Sequence, residues 1–162
     1  MYEIDSYVFH THCGVCKIKA IEPLSGDDSG NLYYVLSPFY GDDKNNIVRV
    51  PVDNPASLRR PLTKELALEL IHKWPNIREN LYITDSKARK NAYDTALRSG
   101  YVEDLATLME GALQRKARDG HLNSMDAQFV SRAMPIVYGE LGFALEMPVD
   151  QVPEYIRLHA GK

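Results

Sequence analysis

The sequence predicts an α+β protein of two domains, a small β-barrel followed by an all-helical domain. Three observations predict it. Up to about Pro61 the apolar residues fall in short runs rich in β-branched and aromatic side chains, broken by clusters of Gly, Asp and Asn. Beyond Pro61 they recur at helical spacing instead. Hydrophobic residues make up 44 % of the 162 residues and charged residues 25 %, the balance of a chain that is folded throughout.

In the first region Tyr7 to Phe9 reads as one strand. Val15 to Ile21 reads as a second, with Val15, Lys17 and Lys19 alternating against Cys16, Ile18 and Ala20. The run Gly26-Asp27-Asp28-Ser29-Gly30-Asn31 is a turn, followed by a third strand over Leu32 to Leu36. A polar stretch from Gly41 to Asn46 leads into a fourth, Ile47 to Pro51. Four or five strands in so short a span suit a barrel that closes on itself and leaves no long edges.

The helical region opens at Thr63, a capping residue before Leu66, Leu70 and Ile71, and its first helix ends near Trp74-Pro75. Pro75 to Thr84 has no period and reads as a hinge. Asp85 or Ser86 opens a second helix that stops at Ser99-Gly100, where Gly supplies a left-handed residue. A third runs from about Val102 to Asp119, with Leu105, Met109, Ala112 and Leu113 on one face and Gly120 as its stop. Asn123 or Ser124 starts a fourth, striped by Val130, Ala133, Met134, Val137, Leu141 and Ala144, which Pro135 should bend or interrupt. Asp150 and Pro153 open a last short helix with Tyr155, Ile156 and Leu158. The division expected is residues 1–62 for the barrel and 63–162 for the helical domain, with 63–84 as connecting helix and hinge.

The net charge of −3 and pI near 5.9 exclude a protein that holds DNA by overall charge alone. Any DNA contact must be local or assisted by a larger partner. The chain has no apolar run long enough to span a membrane, and its start has no signal-peptide pattern, so a cytoplasmic protein is expected. No phosphate-binding Gly loop, nucleophile elbow or His-Glu-x-x-His helix is present, and the chain reads as non-enzymatic. The paired carboxylates Asp27-Asp28 and Asp42-Asp43 lie in Gly/Asn-rich turns, where Asp is favoured for local hydrogen bonding.

Three stretches carry a family resemblance. The first is Tyr7 to Ile18, a strand, a His-Gly turn and the next strand. The second joins Tyr33-Tyr34-Val35-Leu36 with Ile47 to Asn54 and then Leu58-Arg59-Arg60-Pro61-Leu62. The third runs from Ala96-Leu97-Arg98-Ser99-Gly100 through Tyr138-Gly139-Glu140-Leu141. In this order they resemble the CarD family of bacterial transcription regulators, including the polymerase-interacting module shared with transcription-repair coupling factors. The resemblance implies a Tudor/SH3-like barrel that binds the RNA polymerase β subunit through an edge strand. It also implies a helical domain that contacts promoter DNA at the upstream edge of the melted region, in a protein that reaches the nucleoid through polymerase. Two exposed binding surfaces on one small chain favour a monomer.

Arg49, between Val48 and Val50 and before Pro51, points outward if the valines point in. On charge alone it is a solvated residue that protects a strand edge. The matching family position is a basic residue that contacts polymerase, so the resemblance implies polymerase-binding roles for Val48, Arg49, Val50 and Pro51. The helix opened by Ser86 carries Lys87, Arg89, Lys90 and Asn91, with Arg98 further on, and these can serve a few phosphates. From Asp85 to Asp119 seven Lys or Arg face six Asp or Glu, a net of only +1, as on an ordinary solvated helix face. Many family members open this helix with a Trp that resembles a minor-groove wedge. The matching position here is Ser86, and the only Trp, Trp74, is expected to close the interdomain core. The resemblance thus implies weak, polymerase-assisted DNA contact through Ser86, Lys87, Arg89, Lys90 and Asn91. A Tudor- or SH3-like protein-binding adaptor with no DNA role is the competing reading.

His10, His12, Cys13 and Cys16 are side chains of the types zinc uses. Alternation along a strand-turn-strand aims only some of them at a common point, so turn and core roles are expected, with no metal and no cofactor assigned. A zinc-dependent redox or sensing protein built on Cys13 and Cys16 is a third reading.

Overall fold

The computed structural model describes residues 1–39, 46–78 and 82–162. The carboxylates Asp42-Asp43, the turn around them and part of the expected hinge lie outside these residues. The chain divides into two compact units, Met1–Pro61 and Leu62–Lys162.

The first unit is a curled antiparallel sheet of five strands, a half-barrel, in the order β4-β3-β2-β1-β5. Its strands are β1 (Tyr7–His10), β2 (Gly14–Pro23), β3 (Leu32–Pro38), β4 (Val48–Pro51) and β5 (Leu58–Arg59). The long β2 pairs its first residues with β1 and most of its length with β3, and the register slips between Ile18 and Ala20. Such a bulge increases local twist and bends the strand, which curls the sheet. Among the described residues β4 and β5 end the sheet on either side, so the expected closed barrel is corrected to an open one. Its core holds Val8, Cys16, Ile18, Tyr34, Leu36, Val50 and Leu58. The strict alternation expected for β2 breaks at Val15, which is as buried as its neighbour Cys16. Asp27 behaves as a turn residue. Its carboxylate accepts from the Ser29 N–H at 2.9 Å and the Tyr33 hydroxyl at 3.3 Å.

The second unit is all helix: α1 (Lys64–His72), α2 (Trp74–Arg78), α3 (Ser86–Ser99), α4 (Val102–Asp119), α5 (Ser124–Leu145) and α6 (Val152–His159). The caps fall where local chemistry places them. The side chains of Thr63, Asp85 and Asn123 each accept a backbone N–H of the first turn, and Gly100 and Gly120 end α3 and α4 in the left-handed region. Two expectations change. Leu66 is half exposed, and α1 buries Ala67, Leu70 and Ile71 instead. The start of the expected hinge is helical, since α2 covers Trp74–Arg78. Pro135 lies inside a continuous α5: its missing N–H removes one ladder bond, while the buried stripe from Phe129 to Ala144 holds the helix on both sides. Trp74 is fully buried and donates its indole N–H to Glu110 of α4 at 3.2 Å, a contact within the helical unit.

Candidate functional site

In the N-terminal unit β4 carries the candidate residues Val48, Arg49, Val50 and Pro51. Val50 is buried and Val48 packs partly against the core, so the alternation of the strand turns Arg49 to solvent. Register fixes the backbone as well. The Val52 N–H donates to Leu32 O at 3.0 Å, and the pairs run from Tyr33 with Pro51 to Leu36 with Val48. Antiparallel pairs alternate between hydrogen-bonded and non-hydrogen-bonded, so Val48, Val50 and Val52 spend their backbone groups on β3. The N–H and C=O of Arg49 then face the open side of β4, while the Pro51 C=O accepts the Asn54 N–H at 3.3 Å. One short strand therefore offers a backbone donor and acceptor at its edge and a guanidinium on its face.

In the helical unit the residues predicted for DNA contact separate into two sets. Ser86, Lys87, Lys90 and Asn91 are exposed, as is Arg98 further along α3. Lys90 pairs with Asp94 at 2.9 Å. Asp94 is held below the usual carboxylate range by that hydrogen bond first, and then by the charges of Lys90, Arg98 and Arg132. Arg132, an exposed α5 residue, thus adds to the basic field of α3. Nothing in the sequence signals it, because no local period links two helices more than thirty residues apart.

Arg89 departs from the expectation. It is 6 % exposed, and its guanidinium donates to Asp126 at 2.9 Å and to the carbonyls of Ile83 and Thr84 at 3.0 and 3.2 Å. A phosphate cannot reach a guanidinium whose donors are already turned inward. Asp126 is the hub of this arrangement. Its carboxylate also accepts from the hydroxyls of Tyr82 at 2.6 Å and Tyr93 at 2.8 Å, and its own N–H donates to the Asn123 side chain. The Tyr93 ring stacks on Phe129 at 3.9 Å, and burial first, then the Asp126 carboxylate, pushes its phenol far above its ordinary range.

At the β1–β2 turn the His10 Nδ1 accepts the His12 N–H at 3.2 Å, and Cys13 and Cys16 are free thiols. Hydrogen bonds from Cys16 and His10 draw Cys13 down to about 4, while the same Cys13 contact and burial push Cys16 up. No three His, Cys, Asp or Glu side chains among the described residues are grouped to hold a metal ion. Nor is any described helix long and apolar enough to cross a membrane.

Residues 2–62 match the family model of the CarD-like/TRCF RID domain, in which TRCF denotes transcription-repair coupling factor and RID a polymerase-interacting domain. No curated protein matches the chain. The matched span coincides with the half-barrel unit and includes the whole of β4. Residues 2–62, the N-terminal unit, thus form a CarD-like/TRCF RID domain.

Proposed function

We propose that this protein is a non-enzymatic transcription regulator that binds the RNA polymerase β subunit through β4 of a Tudor-like half-barrel and modulates open-complex formation through its helical unit. One observation carries the reading: within a polymerase-interacting domain, the edge strand β4 presents Arg49 to solvent with its backbone turned outward. Strand addition at such an edge gives affinity through main-chain pairing, and an Arg adds a two-pronged contact to a carboxylate on the partner. The test is a pull-down with Arg49→Glu. The variant is expected to lose the β subunit while keeping its circular dichroism spectrum, and retention at the wild-type level overturns the reading.

Promoter DNA is contacted, on this reading, by the exposed α3 side chains Ser86, Lys87, Lys90 and Asn91, with Arg98 and Arg132 nearby. Such contacts are weak alone and become effective once docking on polymerase raises their local concentration. The burial of Arg89 and the absence of an indole at Ser86 favour a second reading, a protein-binding adaptor without DNA contact. Footprinting of a promoter complex with and without the Lys87→Glu/Lys90→Glu pair separates the two: an unchanged upstream footprint supports the adaptor.

A further inference from the structure

In its first two turns α3 has no buried apolar anchor. From Ser86 to Ala92 the one buried side chain is Arg89, and burial resumes only at Tyr93, Ala96 and Leu97. A cation thus stands where an amphipathic helix carries a leucine. Burying a guanidinium is costly unless its donors find partners. Here they do so in two directions: Nε donates to Oδ1 of Asp126 on α5 at 2.9 Å, and Nη1 donates back to the carbonyls of Ile83 and Thr84 at 3.0 and 3.2 Å.

The same carboxylate also reaches the segment before the helix directly, since its Oδ2 accepts the Tyr82 hydroxyl at 2.6 Å. The guanidinium carbons of Arg89 and of Arg115, on α4, each lie 4.8 Å from the centroid of the Tyr82 ring. Tyr82 and Ile83 border a cavity of about 170 Å³ that Tyr93 and Leu108 also line, and Thr84 is exposed. On that side hydrogen bonds, rather than close packing, hold the segment.

Direction is what such an anchor adds. Apolar burial is non-directional, whereas a planar guanidinium bonded at two edges fixes which way its helix faces. With Arg89 turned inward, Lys90 lies about 100° from it around the helix and Lys87 and Asn91 about 200°, and all three are exposed.

We propose that Arg89, with Asp126, is a positioning residue: it sets the rotation of the first two turns of α3, and so the direction in which Ser86, Lys87, Lys90 and Asn91 face, without touching DNA itself. This rests on the reading of α3 as the DNA-facing helix. A cation that served by contacting phosphate would be replaceable by lysine, but one that orients its helix through a planar fork is not.

The test compares Arg89→Lys with the wild type on the full chain. Lysine keeps a charge toward Asp126 and lacks the fork that reaches Ile83 and Thr84. In hydrogen–deuterium exchange read by mass spectrometry, the amides of residues 88–92 are expected to exchange at least ~10-fold faster in the variant, with those of 105–112 and 136–141 at wild-type rates. In a polymerase–promoter complex the variant is expected to lose upstream protection despite its retained charge, while the pull-down still retains the β subunit. Should Arg89→Lys fold poorly, Tyr82→Phe, which removes only the bond to Asp126, is expected to show the same local pattern at ~3-fold. Unchanged exchange in both variants overturns the proposal, as does equal acceleration throughout the helical unit, the mark of a residue that only stabilises the fold. A wild-type footprint for Arg89→Lys overturns it too when Lys87→Glu/Lys90→Glu has lost protection. If that pair keeps its protection, the DNA reading itself has failed, and the proposal falls with it.

Discussion

Asp126, a buried carboxylate of the helical unit, accepts from Arg89, Tyr82 and Tyr93. Removing it leaves the Arg89 guanidinium buried without its charge partner. Asp126→Ala is therefore expected to destabilise the protein by ~3–5 kcal/mol in urea unfolding, whereas Tyr93→Phe, which removes one neutral donor, costs about 1–3 kcal/mol. The Tyr93 phenol also has a pH consequence. Its ionisation is raised in the folded state above the ordinary value of 10.0, by burial and by the Asp126 carboxylate, so folding favours the protonated form. The stability this gives is complete below 10.0 and declines as pH rises beyond it, when the unfolded chain ionises and the folded one does not. Unfolding free energy measured across that range should fall, and Tyr93→Phe should flatten the fall. None of this was legible at Arg89 itself, since Lys87, Arg89 and Lys90 look alike as cations along the chain.

Elements in this protein are set at their ends by short-range chemistry, and their ends are where substitution is most informative. Gly120 closes α4 at φ 85° with nothing within 4 Å of where a Cβ would stand. Gly120→Ala thus meets no clash, and the expected loss of ~1–2 kcal/mol is the backbone cost of a left-handed alanine alone. Asn at this position should recover part of that loss. At β4 the outward N–H of Arg49 gives a sharper test of edge pairing. Arg49→Pro should unfold within ~1 kcal/mol of Arg49→Ala, because that N–H is not spent on β3, yet retain less polymerase in the pull-down. Equal retention by the two variants would show that the side chain, not the strand edge, makes the contact. The turn signals of Thr63, Asp85, Gly100 and Gly120 were readable because each acts within one turn of its own helix. The bulge at Ile18/Ala20 was not, because a register slip belongs to two paired strands.

At the scale of the whole molecule, the proposed DNA contact would have to be made by an acidic chain of net charge −3. The exposed cations of α3 are Lys87, Lys90 and Arg98, with Lys90 shared with Asp94. If all three reach phosphates on free duplex, log affinity against log salt should have a slope no steeper than about −3. Fluorescence anisotropy over a salt series measures it, and a much steeper slope would point to a larger basic surface than α3 carries. The sequence by itself determined the division into a strand-rich and a helical half, the order of the elements and most of their caps. These depend on hydrophobic period and on hydrogen bonds a few residues long. Only the tertiary structure decided that, among the described residues, the sheet stays open with β4 at its edge, and that Trp74 and Arg89 turn inward. Those outcomes rest on partners far along the chain: Leu32 to Pro38 for β4, Glu110 for Trp74, and Asp126, 37 residues away, for Arg89.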